Sequence, residues 1–475
     1  MNFEAVIGLE IHVEMKTKSK MFSASPNSFG SEVNTNVNVL DMGFPGTLPV
    51  VNKRAVINAI RVCNALHMNI DQEIWFDRKN YFYSDLPKGF QITQDKRPIG
   101  SRGYVELNTS KGIKRINIER LHMEEDTCKQ LHMSDYSLLD YNRAGTPLVE
   151  IVSCPEIRTG EEARLYVEKI KSIVVYADVS DGKMEEGSLR CDVNVSIRPV
   201  GSEKFGTKVE IKNLNSTSNV ERAIEFEINR QEKIILSGGV VEQETRRFDE
   251  TKKETVLMRK KTDAADYKYF TEPNITPIRI SDKFVKDAID TCPELADAKL
   301  ARYKNDLGLS DYDADILLQD KGMSEYFDEA CKQTSCYKLL CNWIMVDVAS
   351  YINKAAINIS KFNVSPANLA KLVNMVDKGT ISSKQARQIF EKMIECDEDP
   401  NKIADKLNMT QICDENIILG FVNEVLEANP QSIEDYKAGK DRAVGFLIGM
   451  IMKKSQGKAN PALTSKLVIQ ELNKR

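Results

Sequence analysis

Long apolar runs, glycine and proline tracts and clustered cysteines are all missing from this chain of 475 residues. No stretch of about 18 uncharged apolar residues occurs, which argues against a membrane-spanning helix. The opening MNFEAVIGLEIHVEMKT is broken by Glu10, His12 and Glu14 and has no small-residue cleavage site after it, unlike a signal peptide. A cytoplasmic location is the expectation. With 24 Gly and 15 Pro against 41% hydrophobic residues, the disordered and fibrous classes are excluded. The ten cysteines are scattered, as free thiols in a reducing compartment would be. Cys331, Cys336 and Cys341 are five apart, but all four histidines precede residue 133, so no zinc set is completed.

Several catalytic signatures are missing too. There is no GxxxxGK[ST] loop; SDGKM, AGKD and QGKA lack its first glycine and its hydroxyl. Any nucleotide must be held in another way. GxSxG and a glycine-flanked nucleophilic cysteine are both absent, and the Ser-Ser-Lys run at Ser382 to Lys384 lies at a predicted helix start. The chain is therefore not expected to hydrolyse a substrate through its own nucleophile. No fixed-period repeat is visible, which excludes the common solenoids.

The length predicts two to four domains. Up to about residue 285, short runs of period-two alternation (AVIGLEIHV, RINIERLHM, PLVEIVS, LRCDVNVSIRP, KVEIKNL) mix with helical patterns at Lys53 to Leu66 and Glu161 to Val175. That mixture predicts an α+β domain over 1–290. Helical periodicity then takes over. Ser365 with Pro366 marks one helix start and Ser382 another. The polar break CDEDPNKIAD divides a helical domain, 291–404, from a smaller one, 405–475. From Lys437 onward nine Lys/Arg face two acids, a local charge of +7 on a chain whose total is -4. A basic end on an acidic body fits either a polyanion contact or a solvated lysine-rich helix.

In the first strand, Ala5, Ile7, Leu9, Ile11 and Val13 share one face, while Gly8, Glu10, His12 and Glu14 line the other. Glu10 and His12 then lie roughly 6 to 7 Å apart, a spacing that suits two metal ligands, or one ligand and one substrate contact, although this strand taken alone reads more simply as a solvated sheet face. In LRCDVNVSIRP, Arg190, Asp192 and Asn194 oppose an apolar set. LHMEEDT supplies Glu124, Glu125 and Asp126, and PLVEIVS places Glu150 between apolar neighbours, where an unpaired carboxylate is costly. Carboxylates gathered in one cleft need a cation, and Mg²⁺ prefers such oxygen donors. Imidazole is a softer donor, which leaves His12 as a ligand or a substrate contact. By facing and charge, Arg190 and Lys212 are candidate phosphate contacts. FDRKNYFYSDLPKGFQIT and KVEIKNLNS offer the remaining basic and aromatic residues for a nucleotide.

Taken in order, VIGLEIHVEMKTKSKMFS, FPGTLPVVNKRAV, FDRKNYFYSDLPKGFQI, RLHMEEDT, DYNRAGTPLVEIVS, KMEEGSLRCDVNVSIRP, EIKNLNS, ETRRFDE and DYKAGKDRAVGFLIGMIMKKSQGKANP closely resemble the B subunit of the tRNA-dependent amidotransferases acting on Glu-tRNA(Gln) and Asp-tRNA(Asn). The resemblance runs end to end; KMEEGSLRCD and FDRKNYFY are its most specific pieces. It departs at Ser84, Lys268, Thr271 and Asn274, where the family more often has Pro, Arg, Pro and Asp.

The resemblance implies a cradle-like catalytic domain with a mostly antiparallel sheet, followed by two all-α domains. It implies ATP-dependent phosphorylation of the side-chain carboxylate of the misacylated tRNA, then displacement of phosphate by ammonia, the first step being phosphoryl transfer helped by Mg²⁺. Carried over residue by residue, Glu10, His12, Glu125, Glu150 and Asp192 hold the metal, with Glu124 as the substitute for its neighbour. Lys79 lines the path of ammonia, and Glu125 shares the catalytic role. Partners are a glutaminase-type A subunit, a small C subunit and tRNA, gripped through Lys440, Arg442, Lys453, Lys454 and Lys458. A non-catalytic tRNA-binding scaffold of the same complex is the alternative. A related archaeal subunit for Glu-tRNA(Gln) carries a large inserted domain for which this chain has no room.

Overall fold

A computed structural model describes every residue except 1, 261–265, 408, 410–413, 438–439, 441 and 456–457. Cys413, and Asp441 in the basic end, lie outside the described residues. The other nine cysteines are free thiols, and no described helix is long and apolar enough to cross a membrane.

The chain divides into two compact units, Met1–Ala296 and Asp297–Arg475. In the first, nine strands build one sheet: β1 (Phe3–Glu14), β2 (Asn69–Ile70), β3 (Gly100–Thr109), β4 (Gly112–Glu125), β5 (Pro147–Ser153), β6 (Leu189–Pro199), β7 (Val209–Lys212), β8 (Glu244–Asp249) and β9 (Glu254–Lys260). Their order is β9-β8-β7-β6-β1-β5-β4-β3-β2. Every pairing is antiparallel except β7 with β8.

Strand β1 is central because its alternation leaves a purely apolar face: Ile7, Leu9, Ile11 and Val13 are fully buried. That face packs against α1 (Lys53–Ala65), α2 (Gly160–Tyr176) and α3 (Thr217–Leu236), whose apolar stripes complete one continuous core with Val149, Ile151, Cys191 and Val193. Asn52, Thr159 and Ser216 start the three helices, each side chain accepting from first-turn backbone N–H groups. With one face covered by helices, the other is left to polar side chains.

Among the described residues, every named element of the second unit is a helix. One apolar cluster runs from Tyr303 to Ala404 and a separate one from Ile418 to Leu472. Ser365 caps Pro366–Asp377 with Pro at the first position, and Ser382 with Gln385 forms a complete capping box on Ser383–Cys396. The apolar run KLLCNWIMVDVASYINKAAI contains a π-helical turn, Ile344–Val348, between Tyr337–Trp343 and Ala349–Ala355.

Candidate metal and phosphoryl-transfer site

The registers of four adjacent strands place a row of charged residues across the polar face of the sheet. Arg190 on β6 is opposite His12 on β1, His12 is opposite Glu150 on β5, and Glu150 is opposite His122 on β4. Two residues along β1, Glu10 is opposite Asp192. Leu148 pairs with Glu124, which brings that carboxylate beside the row.

His12 Nε2 lies 3.5 Å from Glu150 Oε2 and 3.7 Å from Glu124 Oε1. His122 Nε2 lies 3.0 Å from the same Glu150 oxygen and 3.5 Å from Glu124 Oε2. Single donor atoms of His12, Glu124 and Glu150 all fall within 4.8 Å of one another, a spacing that fits donors around one cation. Burial works against a charged imidazole on His122, but hydrogen bonds to Glu124 and Glu150 and their charges override it and lift its pKa to about 9. His12 is raised in the same way: burial opposes the charge, and Glu150 and then Glu124 outweigh it. Burial likewise opposes the Glu150 carboxylate, yet hydrogen bonds from His12 and His122 hold it well below the usual range. Two imidazoles thus stand where positive charge is required. A divalent ion fits the same demand.

A cleft of about 520 Å³ opens over this cluster, bordered by Glu10, Lys79, Thr93, Arg120, His122, Glu124, Glu150 and Tyr269. Lys79 projects over the Tyr267 ring at 4.7 Å. On the other side of His12, a cavity of about 490 Å³ is lined by Arg190, Asp192, Lys212 and Asn213. Lys212 pairs with Asp192 and, at 3.1 Å, with Glu210. Arg190 Nη2 is 2.6 Å from Asp126. Burial raises Asp126, but the charges of Arg190 and Arg143 bring it below its ordinary value. Glu14 is pushed up to about 7 by burial and by the Asp126 charge.

Glu10, His12, Glu124, Glu150 and Asp192 therefore share one face. Glu125 does not join them. Its carboxylate pairs with Lys88 and accepts from the Ile92 N–H at 3.0 Å, on the far side of β4. The cause is a register irregularity between Ile118 and Arg120: Ile116 and Ile118 face the core before it, Leu121 and Met123 after it. Simple alternation from Ile116 would have turned Glu124 inward and Glu125 outward. Sequence reasoning misses His122, although its place two residues before Glu124 puts both on one face. Asn194, which donates to Glu10 Oε1 at 3.0 Å, stands out in the sequence only by its facing.

In the second unit Lys440, Arg442, Lys453, Lys454 and Lys458 are all exposed. Arg442 opens the helix Arg442–Lys454 and Lys453 and Lys454 close it, where cations suit the helix dipole. Lys440 pairs with Asp435 at 2.9 Å and Lys454 with Glu424.

Residues 5–286 match the family described as the GatB/GatE catalytic domain, and residues 325–472 match the GatB domain. The B subunit of the aspartyl/glutamyl-tRNA(Asn/Gln) amidotransferase of Geobacillus thermodenitrificans is 51% identical over 476 residues, covering 100% of both chains. Those of Bacillus licheniformis and Bacillus cereus are each 52% identical, again over 100% of both chains.

Proposed function

Because this chain belongs to the family formed by the B subunit of the aspartyl/glutamyl-tRNA(Asn/Gln) amidotransferases, we propose that it converts the side-chain carboxylate of Glu-tRNA(Gln) or Asp-tRNA(Asn) into an amide. ATP phosphorylates the carboxylate, and ammonia then displaces phosphate. One observation carries the assignment of the site: His12, Glu124 and Glu150 present their donor atoms together on the polar face of the central strands.

The residues divide the work. His12, Glu124 and Glu150, bordered by Glu10 and Asp192, are suited to hold Mg²⁺, which when bound neutralises charge on the transferred phosphoryl group. Glu124 is preferred over Glu125 as a ligand because Glu125 faces Lys88. Arg190 and Lys212 stand beside the row as contacts for phosphate oxygens. Lys79 borders the cleft where the carboxylate of the aminoacyl group and ammonia meet. The absence of a glutaminase nucleophile makes a partner A subunit the source of ammonia, with a C subunit completing a cytoplasmic heterotrimer. The segments 291–404 and 405–475 act as separate helical domains, the second gripping tRNA through its basic residues.

The test is ADP formation by the chain assembled with its A and C partners. Turnover that requires both misacylated tRNA and Mg²⁺ is the expected result. Tight tRNA binding with no ADP under any condition would favour the non-catalytic scaffold.

A further inference from the structure

Residues 266–272 run along the short strand Asp77–Asn80 and are fastened to it at both ends. Phe270 and Thr271 pair with Arg78 and Asp77. The Asn80 N–H donates to the Tyr267 carbonyl and the Glu272 N–H to that of Phe76, each at 3.0 Å. Side chains reinforce this pairing. Asn80 Nδ2 donates to the Lys268 carbonyl at 2.8 Å, and the Arg78 guanidinium holds both oxygens of the buried Glu272. Lys268 itself has φ 46°, a left-handed conformation uncommon for a lysine, with its N–H donating to Asp266 Oδ1 at 3.0 Å. Strain held in place by several neighbouring bonds points to a working segment rather than a passive loop.

What the fastening holds is a row of rings. Tyr81, Tyr267 and Tyr269 stand edge-on to one another, with centroids 5.7 and 6.1 Å apart. The row starts beside Lys79, whose ammonium lies 5.8 Å from the Tyr81 ring and 4.7 Å from that of Tyr267. It ends at Tyr269, which borders the acidic cleft together with Lys79, Thr93, Glu124 and Glu150. Thr93, on the strand paired to the other side of Asp77–Asn80, donates to Glu124 at 3.3 Å and ties this small sheet to the metal cluster. Burial first, then negative charges that include Glu124 and Glu150, push the Tyr269 phenol up to about 12. A neutral ring therefore stands at the edge of a cleft lined mainly by charged and polar groups.

An acyl phosphate offers one carbonyl carbon to two nucleophiles. When ammonia attacks, the C–N bond forms, the C–O bond to phosphate breaks, and the proton lost from nitrogen leaves on the phosphate. Water attacks the same carbon and breaks the same bond, returning the starting carboxylate with phosphate and a proton. One ATP is then spent for no amide. Water is by far the more abundant, so its exclusion decides how much ATP yields amide. We propose that the ring row on residues 266–272, with Tyr269 at its end, shields the acyl phosphate from water and so sets the partition between amide and hydrolysis. This rests on the ATP-dependent reading above and adds the group that selects between the two nucleophiles. The shield is the bulk of the ring; its hydroxyl is not required.

The experiment counts ADP formed per amide by the chain assembled with its A and C partners, given misacylated tRNA, ATP, Mg²⁺ and saturating glutamine. The unsubstituted complex is expected to form about one ADP per amide, and Tyr269→Ala to raise that ratio about threefold or more. Tyr269→Phe should keep the low ratio, and excess ammonium chloride should bring Tyr269→Ala back toward it, because added ammonia competes with water. A merely structural defect lowers ADP and amide together and leaves the ratio where it was. A Tyr269→Ala ratio that is not raised, or that ammonium does not lower, overturns the shield, as does a Tyr269→Phe as wasteful as Tyr269→Ala. If the unsubstituted complex forms no ADP with misacylated tRNA, the ATP-dependent reading itself fails. Should Tyr269→Ala not assemble, Asn80→Ala, which releases the Lys268 carbonyl, is judged by the same ratio: a rise that ammonium reverses supports the shield, and an unchanged ratio overturns it.

Discussion

At the scale of single residues, the neighbours Glu124 and Glu125 give the sharpest contrast. Both are buried, yet one faces two imidazoles and the other a lysine and a backbone N–H. Removing a metal ligand costs more than removing a supporting contact, which is typically worth about 10- to 100-fold. Glu124→Gln is expected to lower tRNA-dependent ADP formation by more than about 100-fold and to weaken Mn²⁺ binding measured by electron paramagnetic resonance. Glu125→Gln should weaken Mn²⁺ binding far less. Equal effects on metal binding would refute the division. His122 supports a separate prediction for the metal-free chain. Its folded pKa of about 9 is above the unfolded value of about 6.5, so protonation favours the native state. That stabilisation is fully present below about pH 6.5 and is lost as pH rises through about 9. In EDTA, the melting temperature of the unsubstituted chain should fall more between pH 6 and 10 than that of His122→Asn; parallel curves would contradict it.

At the scale of elements, much was legible because local rules and tertiary structure agreed. The alternation of β1 named Ile7, Leu9, Ile11 and Val13 as core and Glu10 and His12 as the opposite face, and the sheet keeps both assignments. The capping residues Ser365 and Ser382 also start helices as expected. Ser382→Ala is expected to destabilise the second unit by about 1 kcal/mol, seen as a lower denaturant midpoint for helix loss with ATP affinity unchanged. What escaped the sequence was parity on β4. An irregularity between Ile118 and Arg120 reverses which residues face the core, and a periodic pattern carries no marker for it. The assembly of the row was equally hidden, since β1, β5, β4 and β6 are far apart in sequence and only pairing register aligns Arg190, His12, Glu150 and His122. Strand facing alone favoured a solvated face and only left the metal site open.

At the scale of the whole molecule, charge is unevenly divided along the chain. The first unit gathers acids at the proposed cation site, whereas the segment from Lys437 carries +7. The pairs of Lys440 with Asp435 and Lys454 with Glu424 are on the surface. Such pairs contribute at most about 1 kcal/mol, so a phosphate backbone competes with them readily. Arg442, Lys453 and Lys458 are the better residues to neutralise, because neither of these two surface pairs involves them. Each lost phosphate contact removes about 0.7 to 0.9 from the slope of log affinity against log salt concentration. Replacing all three with Gln should therefore weaken tRNA binding and lower that slope by about 2 to 3. ADP formation should recover at saturating tRNA, since the loss is in binding and not in the phosphoryl-transfer site. A triple variant with unchanged tRNA affinity across a salt series would show that the basic end is a solvated helix face and that tRNA is held elsewhere.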